Sequence, residues 1–381
     1  MRNKRKLILW VTILGLAVAS ILIVAGCGDE TTDTTAAPAT TQATTATTTA
    51  ATTATTTAAT TATTVGKEVL IRVTTPVPAG DEMATMAQEG FDRFNARTNG
   101  AYTLKIFTGG ELGPMPEMLD AVRTGSVEAG LFPLAAYGGT VPEFGLVELP
   151  FLFNNGEANS AAMPGIQPIW DELAQAKANQ RVFGCLCTGT VNFLSVKKLL
   201  KTIDDLKGIV FGCDNPAMSV LVNTLGGSGT VVDFTEDYSN LQKGIFDAKT
   251  SAPQYIHIAK LYEIAKYYTV FHGIGTLYAF NVNLDVYNEM PKDIQDALAE
   301  ELSATAKSLS EMYVSKFYEL EPVLKDLGMQ YYYLPTEERE KWKELGYPVT
   351  LDTISKAGDI GTRVKQVVDE ANAKFPYVQE Q

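Results

Sequence analysis

Along most of the chain, stretches in which apolar and polar residues alternate are followed by stretches in which apolar residues recur every three or four positions. Period-two stretches at 68–74 and 102–108 predict strands, and apolar residues three or four apart at 81–98 predict a helix. The succession continues at 209–213 (strand) and 216–227 (helix), with Pro216 in the first turn of that helix. Strands that alternate with helices in this way are typical of mainly parallel sheets flanked by helices.

The second half of the chain continues this alternation. A strand is predicted at 230–234 and a helix at 235–244 with Thr235 as its N-cap, while the Gly-rich 226–229 is interpreted as a turn. A further amphipathic helix is predicted at 253–266.

The longest helical pattern begins after Pro291 and reaches Gly328, with a kink expected near Pro322. At about 1.5 Å per residue it measures roughly 55 Å, which exceeds the width of one small lobe. We expect this helix to lie across two lobes.

Two segments repeat one pattern. Residues 122–129 (VRTGSVEA) and 241–248 (LQKGIFDA) share an apolar residue, a glycine three positions later, an apolar residue, an acid and an alanine. In both, a helix is predicted to end at the glycine before a strand begins. The repeat predicts two similar α/β lobes, and small ligands favour the crevice at the carboxyl ends of such strands.

The amino terminus has the pattern of a bacterial lipoprotein signal. Four basic residues within 2–6 precede an apolar run without acids, and the run ends in VAGC at Cys27. This segment resembles a lipobox, which implies cleavage before Cys27 and its lipidation. The alternative is an uncleaved membrane helix, because the run is long enough to span a bilayer.

Residues 31–64 are almost entirely Thr and Ala, so they cannot bury enough apolar surface to order themselves. We interpret 27–64 as a disordered, lipid-anchored tether. The formal net charge of the whole chain is −13, and loss of the four positive charges of the signal would shift it to −17. This balance argues against nucleic acid as a partner, because phosphate binding needs clustered Lys and Arg.

The sequence carries no recognisable catalytic or metal motif. It lacks a P-loop, a dinucleotide-binding glycine fingerprint, an HExxH motif and a nucleophile elbow, so we predict no catalytic residue, no metal and no cofactor. Of the two histidines, His257 is expected at a helix surface, and His272 near a turn either in a polar pocket or in a structural role.

The cysteines after Cys27 leave two alternatives open. Cys185, Cys187 and Cys213 are odd in number, and they permit either one bridge from Cys213 or three buried free thiols.

Several segments in order resemble one family. In chain order, these segments are the stretch from IFTGGELGPMPEMLDAVRTGSVEAG to PEFGLVELPFLF, and then DDLKGI, FTEDYSNLQKGIFDA, IAKLYEIAKYYTV and NVNLDVYNEMPKDIQDAL. Together they look like the extracytoplasmic solute-binding subunit of TRAP transporters, the DctP-type family. The resemblance covers about 68–330. It implies two lobes joined by crossing strands, a long helix across both, a solute trapped by lobe closure, and a two-part membrane permease as partner.

The chain departs from this family where the ligand carboxylate is expected to bind. The family usually has an Arg in the strand after DLKG, and here that position is Gly212; a second Arg position is Asn192. The expected Gln-x-Asn-Pro is replaced by 249–252. Gly cannot imitate a bidentate Arg–carboxylate contact. Either the ligand is not a simple carboxylate, or Lys249 supplies the charge, or the assumed register is shifted.

On this basis we predict a pocket in which Gly212 leaves room for a ligand bulkier than a four-carbon diacid. Phe234 is expected either to form an apolar wall of this pocket or to pack in the core. The predicted ligand-binding residues are Thr75, Pro133, Asn192, Gly212, Phe234, Lys249 and Ser251.

The predicted fold is an α/β, two-lobed periplasmic-binding-protein-like structure of the class II type. Its parts are a signal peptide (1–26), the tether (27–64), a first lobe (65–190, with a return from the C-terminal part), a second lobe (191–282), and the long helix with C-terminal packing elements (283–381). The predicted function is a solute receptor on the outer face of the cytoplasmic membrane that delivers a small organic solute, an organic acid or a related compound, to a TRAP-type permease. The alternatives are a ligand sensor that docks on a membrane kinase, a receptor for another importer class, or a secreted enzyme.

Overall fold

Two long antiparallel strands form the centre of a mixed sheet. The computed structural model describes residues 68–232 and 236–378. Its strands are β1 (Val69–Thr74), β2 (Tyr102–Phe107), β3 (Ala129–Phe132), β4 (Gln180–Ser195), β5 (Val210–Cys213), β6 (Ser228–Val231), β7 (Ala248–Ser251), β8 (Tyr267–Asn283) and β9 (Gln330–Tyr333). The central strands are β4 and β8, and the sheet order is β2-β1-β3-β8-β4-β7-β5-β6, with β9 beside β8.

Helices cover both faces of this sheet. The α-helices of the described residues are α1 (Glu82–Arg97), α2 (Met115–Thr124), α3 (Gly156–Lys177), α4 (Ile203–Leu206), α5 (Pro216–Thr224), α6 (Asp237–Lys243), α7 (Pro253–Ile258), α8 (Leu284–Asn288), α9 (Lys292–Asp326), α10 (Thr336–Lys356) and α11 (Gly358–Lys374). Short 3-10 helices occupy Leu134–Gly139, Pro142–Glu148 and Leu261–Glu263.

The sheet consists of two equivalent halves. β1 is parallel to β2 and β3, and β5 is parallel to β6 and β7. β3 is antiparallel to β8, β7 is antiparallel to β4, and β4 and β8 are antiparallel to each other. We call the half built on β1–β3 lobe I and the half built on β5–β7 lobe II. The predicted two-lobed α/β fold is confirmed, with parallel pairing inside each lobe and antiparallel pairing through the crossing strands.

The internal repeat corresponds to this symmetry. α2 ends at Gly125 and α6 at Gly244, both in the left-handed conformation that glycine tolerates, and β3 and β7 follow. The repeated acids also have matching roles. A Glu128 oxygen accepts from the backbone N–H of Arg72 in β1, and an Asp247 oxygen accepts from that of Val210 in β5. The repeat in the sequence therefore reflects a repeated strand-to-strand contact.

The long helix α9 packs on both lobes, as predicted. Leu298 and Leu302 belong to the same apolar cluster as Phe91 of lobe I, whereas Phe317 belongs to a cluster with Leu241 of lobe II. At about 1.5 Å per residue, its 35 residues measure roughly 52 Å, and the helix continues past Pro322.

Four predictions of local structure were wrong or need adjustment. The expected helix at 253–266 is interrupted at Lys260, whose φ of 54° is left-handed. The expected turn at 226–229 already contains the start of β6. α6 has Glu236 as its N-cap, while Thr235 lies outside the described residues. His272 lies inside β8 rather than at a turn.

The signal peptide, Cys27 and the tether also lie outside the described residues. In the part of the chain that is described, no helix combines the length and the apolar character needed to cross a bilayer.

Candidate ligand-binding cleft

The carboxyl ends of the parallel strands of both lobes point to the middle of the crossing pair. β3 ends at Phe132, which is opposite Ala279 of β8, and β7 ends at Ser251, which is opposite Asn192 of β4. The β4–β8 ladder is irregular between these points, with register shifts between Cys187 and Thr190 and again before Phe193. Two sets of strand ends therefore meet over a bent region of the sheet, as expected for a ligand cleft.

Three predicted site residues lie at these strand ends. Thr75 follows β1 directly and is fully buried, Pro133 follows β3 and is half-buried, and Ser251 is the last residue of β7 and is buried. Phe234 lies outside the described residues. Gly212 and Lys249 lie within β5 and β7 and are paired with each other in register.

Lys249 is a buried cation that two carboxylates already hold. Its ammonium forms an ion pair with Asp214 and another with Asp237, the latter at Nζ–Oδ2 2.8 Å, and its side chain is 0 % exposed. Burial opposes protonation, but the two carboxylates outweigh it and hold the pKa of Lys249 above its ordinary value. Two anions on one cation leave this cluster with a formal charge of −1.

The acids of this cluster differ in exposure. Asp237 is 1 % exposed, and burial raises its pKa to about 6 against the opposing effect of Lys249. The Asp214 side chain, which directly follows β5, is 32 % exposed. Asp214 is therefore the member of the cluster that a solute can reach.

The space that Gly212 was expected to leave for a ligand is filled. A Cβ built at Gly212 would lie 2.8 Å from the Phe246 ring. Phe246 is 3 % exposed and packs in the apolar cluster of lobe II under α6 and α7. The expectation that Gly212 makes room for a bulkier ligand was wrong, because Phe246 occupies the room instead.

The Asn192 side chain is fully engaged inside the protein. Its Oδ1 accepts from the backbone N–H groups of Phe271 and His272, at 2.9 and 2.7 Å. Its Nδ2 donates to Thr190 O and to the Tyr268 hydroxyl, at 3.3 and 3.1 Å. Every hydrogen-bonding position of this amide is therefore used to tie β4 to β8.

His272 also belongs to the crossing strands. It is buried, its φ is 50°, and its Nδ1 lies 2.8 Å from Thr190 Oγ1. Burial lowers the pKa of His272 to about 3, so the imidazole is neutral at physiological pH. Its role is structural, at the irregular centre of the sheet.

Sequence reasoning missed a group of acids around Tyr278 of β8. Burial raises the pKa of this phenol, and so do the negative charges of Glu148, Asp81 and Asp214. Asp81 is the N-cap of α1 in lobe I and accepts from the backbone N–H of Met83. Asp214 belongs to lobe II, so carboxylates of both lobes raise the pKa of one tyrosine of a crossing strand.

Glu148 is the most buried of these acids. It is 6 % exposed and accepts from Asn215 Nδ2 at 3.0 Å. Burial first, and then the charge of Asp214, raise its pKa to about 7, although hydrogen bonds from the Leu277 backbone N–H and from the Asn215 side-chain amide favour the ionised form. The position of Asp214 at the carboxyl end of β5 could have indicated this residue as part of the site. Nothing in the sequence singles out Glu148.

The strand ends also carry buried hydroxyls without a hydrogen-bond partner. Thr74 Oγ1 at the end of β1 and Ser251 Oγ at the end of β7 have none, and the residues are 0 % and 2 % exposed. Ser251 lies two residues after Lys249, so the two side chains point to the same face of the sheet. Gln254, at the start of α7, donates to Tyr313 O of α9 while its Oε1 has no partner.

The three cysteines after Cys27 are free thiols. Cys185, Cys187 and Cys213 are all buried and unbridged, which decides between the two alternatives in favour of free thiols. Among the described residues, no group of three or more His, Cys, Asp and Glu is arranged to hold a metal ion.

The model of one family, the bacterial extracellular solute-binding protein family 7 (DctP), matches residues 75–356. The chain belongs to this family. It is similar to the C4-dicarboxylate-binding periplasmic protein DctP of Rhodobacter capsulatus, with 24 % identity over 266 residues, which are 68 % of this chain and 79 % of the relative.

Two solved structures have the same fold. One is DctP7 of Bordetella pertussis, an extracytoplasmic solute receptor binding pyroglutamic acid, with 20 % identity, a TM-score of 0.73, and coverage of 79 % of this chain and 99 % of that one. The other is a TRAP periplasmic solute-binding protein of Anaerococcus prevotii with bound D-glucuronate, with 17 % identity, a TM-score of 0.73, and coverage of 81 % and 99 %. The family model thus identifies the chain as an extracellular solute-binding protein, and these two structures show that it shares their fold.

Proposed function

We propose that this chain is a lipid-anchored receptor that captures a small organic solute between its lobes and delivers it to a TRAP-type membrane permease. The observation that carries the proposal is the convergence of the strand ends of both lobes on the irregular centre of β4 and β8. A solute bound there contacts both lobes and favours their approach. The permease then distinguishes the filled form from the empty form.

The protein performs no chemistry on the solute in this proposal. The titratable groups at the strand ends are engaged in ion pairs or hydrogen bonds within the protein, and His272 is neutral and buried. The relatives are named for binding C4-dicarboxylate, pyroglutamic acid or D-glucuronate, so a small organic solute is the ligand class that we carry over. No observation favours a sensor or another class of importer.

A solute screen tests the capture step. The full-length protein in mild detergent is screened for thermal stabilisation by dicarboxylates, sugar acids, amino acids, amines and polyols. A ligand at a hundred times its Kd adds about 2.7 kcal/mol of stability. We expect at least one solute to raise the Tm and to reduce the radius of gyration measured by small-angle X-ray scattering. If no solute of any class does both, lobe closure around a solute is contradicted.

The anchor is tested separately. Cys27→Ser removes the residue that we propose is lipidated, so mass spectrometry should show that the protein loses the mass added by the lipid. A Cys27→Ser variant that keeps this added mass contradicts lipidation at Cys27. The permease is tested by uptake of the identified solute in cells with and without the two permease subunits.

A further inference from the structure

A side-chain hydrogen bond runs directly from lobe I to lobe II. Asn215 Nδ2 donates to Glu148 Oε2 at 3.0 Å. Glu148 is the last residue of the 3-10 helix Pro142–Glu148, whose apolar residues pack in the cluster of lobe I. Asn215 follows β5 of lobe II by two residues. The bond therefore joins segments that are 67 residues apart in the chain and belong to different lobes.

Both ends of this bond are held in place by further hydrogen bonds. Glu148 is 6 % exposed and also accepts from the backbone N–H of Leu277 in β8. Asn215 is the N-cap of α5, and its Oδ1 accepts from the backbone N–H of Met218 at 2.9 Å. Because the cap occupies Oδ1, the amide presents Nδ2 to Glu148. Neither side chain can follow the other without losing a bond of its own.

The bond is sensitive to small displacements of the lobes. A side-chain hydrogen bond does not persist beyond about 3.5 Å, so a relative movement of about 1 Å between the two segments breaks it. A buried carboxylate that loses a donor is left partly unsatisfied, which costs more than the loss of an exposed bond. We call the arrangement of the lobes in which this bond is formed the closed one.

We propose that Glu148 and Asn215 form a latch that stabilises the closed arrangement of the lobes. They are positioning residues, because they act through the position of the lobes rather than through contact with the solute. The inference rests on the proposed receptor function and adds two residues that set its closure equilibrium. A solute that binds the closed arrangement then needs to supply less of the free energy of closure.

A pair of variants reverses the donor and the acceptor of the latch. Asn215→Asp keeps the N-cap of α5, because Asp caps as well as Asn, but it replaces the donor by an oxygen that faces Glu148. In the double variant Glu148→Gln, Asn215→Asp, the new amide can accept from the backbone N–H of Leu277 and donate to the introduced carboxylate. The double variant should therefore form the bond again in the opposite direction.

The distance between the lobes is the measured quantity. Spin labels at Glu89→Cys of α1 and Lys243→Cys of α6, both exposed, report it by pulsed electron paramagnetic resonance. The full-length chain carries Cys27→Ser and is kept in mild detergent at pH 8.5, above the pKa of about 7 of Glu148. We expect the ratio of open to closed molecules to be on the order of tenfold higher in Asn215→Asp than without it, and the double variant to return to within about threefold.

The matched control makes the same substitution at the N-cap of another helix. Asn155 caps α3, where its Oδ1 accepts from the backbone N–H of Ala158 at 2.8 Å. Its amide donates to Pro376 O in the C-terminal segment rather than to lobe II. Asn155→Asp should therefore leave the distance distribution unchanged, because it changes charge and cap in the same way without affecting the latch.

Each outcome decides for or against the latch. Equal distance distributions with and without Asn215→Asp overturn it. Lobes that open in Asn215→Asp and stay open in the double variant show that the bond to Glu148 is not the cause. If Asn215→Asp does not fold, Asn215→Ser replaces it, since Ser also caps a helix and lacks the amide donor. Failure of the receptor function is recognised separately, by a solute screen in which nothing binds.

Discussion

The side-chain amide of Asn215 donates a hydrogen bond to the Glu148 carboxylate, with 3.0 Å between Nδ2 and Oε2. Glu148 ends the 3-10 helix that packs on lobe I, and Asn215 is the N-cap of α5 in lobe II. Glu148 also accepts from the backbone N–H of Leu277 in β8. One buried acid thus connects both lobes and a crossing strand beside the cleft.

The burial of Glu148 should make stability depend on pH. Its pKa is about 7 in the folded protein against an ordinary value of 4.5. Between these values the folded protein holds a proton that the unfolded chain has lost, so this contribution to stability is full below about pH 4.5 and is lost as the pH rises to about 7. We expect the free energy of unfolding of the wild type to fall by up to about 3 kcal/mol more than that of Glu148→Gln over this range.

Urea unfolding of both proteins between pH 4.5 and 7.5 measures this difference. The control is Glu344→Gln, at an exposed position of α10, which should keep the pH profile of the wild type. Parallel profiles for the wild type and Glu148→Gln would show that the carboxyl group is ionised throughout, against this expectation.

Lys249 should contribute to stability more than to the capture of an anion. Lys249→Ala leaves Asp214 and Asp237 beside each other without their cation, and removal of one partner of a buried ion pair costs about 3–5 kcal/mol. Lys307→Ala, at a side chain that is 78 % exposed, should change stability by about 0.5 kcal/mol or less. Denaturant unfolding measures both.

The double variant Lys249→Ala, Asp237→Asn distinguishes charge from lost packing. Because it removes the buried anion together with the cation, it should be more stable than Lys249→Ala alone. If the double variant loses as much stability as Lys249→Ala and Asp237→Asn lose together, the ion pair is not the source of the loss in Lys249→Ala.

The sequence predicted the parts of the fold that depend on near neighbours. The glycines at 125 and 244 end helices and the alanines at 129 and 248 begin strands, because capping and alternation are local properties. The break at Lys260 was missed, since a 14-residue amphipathic pattern does not reveal a left-handed residue inside it.

The sequence predicted that Thr75, Pro133 and Ser251 lie at or directly after strand ends, and the structure shows them there; that they bind a ligand stays a prediction. The pairing of the charged groups nearby was not predicted. The pairing of Lys249 depends on Asp214, 35 residues away, and the burial of Glu148 depends on Asn215, 67 residues away. Such contacts exist only in the folded protein, so the sequence presented Lys249 as a free cation and did not single out Glu148.

The arginine that the family resemblance leads us to expect at position 212 should not be tolerated as a single substitution. Gly212→Arg brings a side chain within 2.8 Å of the Phe246 ring and a second cation beside Lys249, its partner in register. Overpacking of a filled core costs about 1–3 kcal/mol, so the free energy of unfolding should fall by at least this amount. Gly212→Arg in a Phe246→Ala background should lose less than in the wild type. A single variant as stable as the wild type contradicts the packing described for Phe246.

The buried thiols should react only when the protein unfolds. Burial raises the pKa of Cys187 and of Cys213 to about 12, and it also raises that of Cys185. In a Cys27→Ser background, we expect a disulfide reagent such as DTNB to label no thiol of the native protein and all three in denaturant. Rapid labelling of the native form would mean that one of these strands opens readily.

Substitution of Asn192 distinguishes a structural role of this residue from a role in ligand binding. Asn192→Leu leaves the backbone N–H groups of Phe271 and His272 buried without an acceptor, and each unsatisfied donor costs about 1–3 kcal/mol. We therefore expect a loss of roughly 2–5 kcal/mol in the free energy of unfolding, with little change in the Kd of any solute that binds the folded variant. Asn288→Leu, at an exposed position of α8, should leave both quantities unchanged. Normal stability together with a raised Kd would instead place Asn192 among the groups that touch the ligand, because only direct contact affects affinity without affecting the fold.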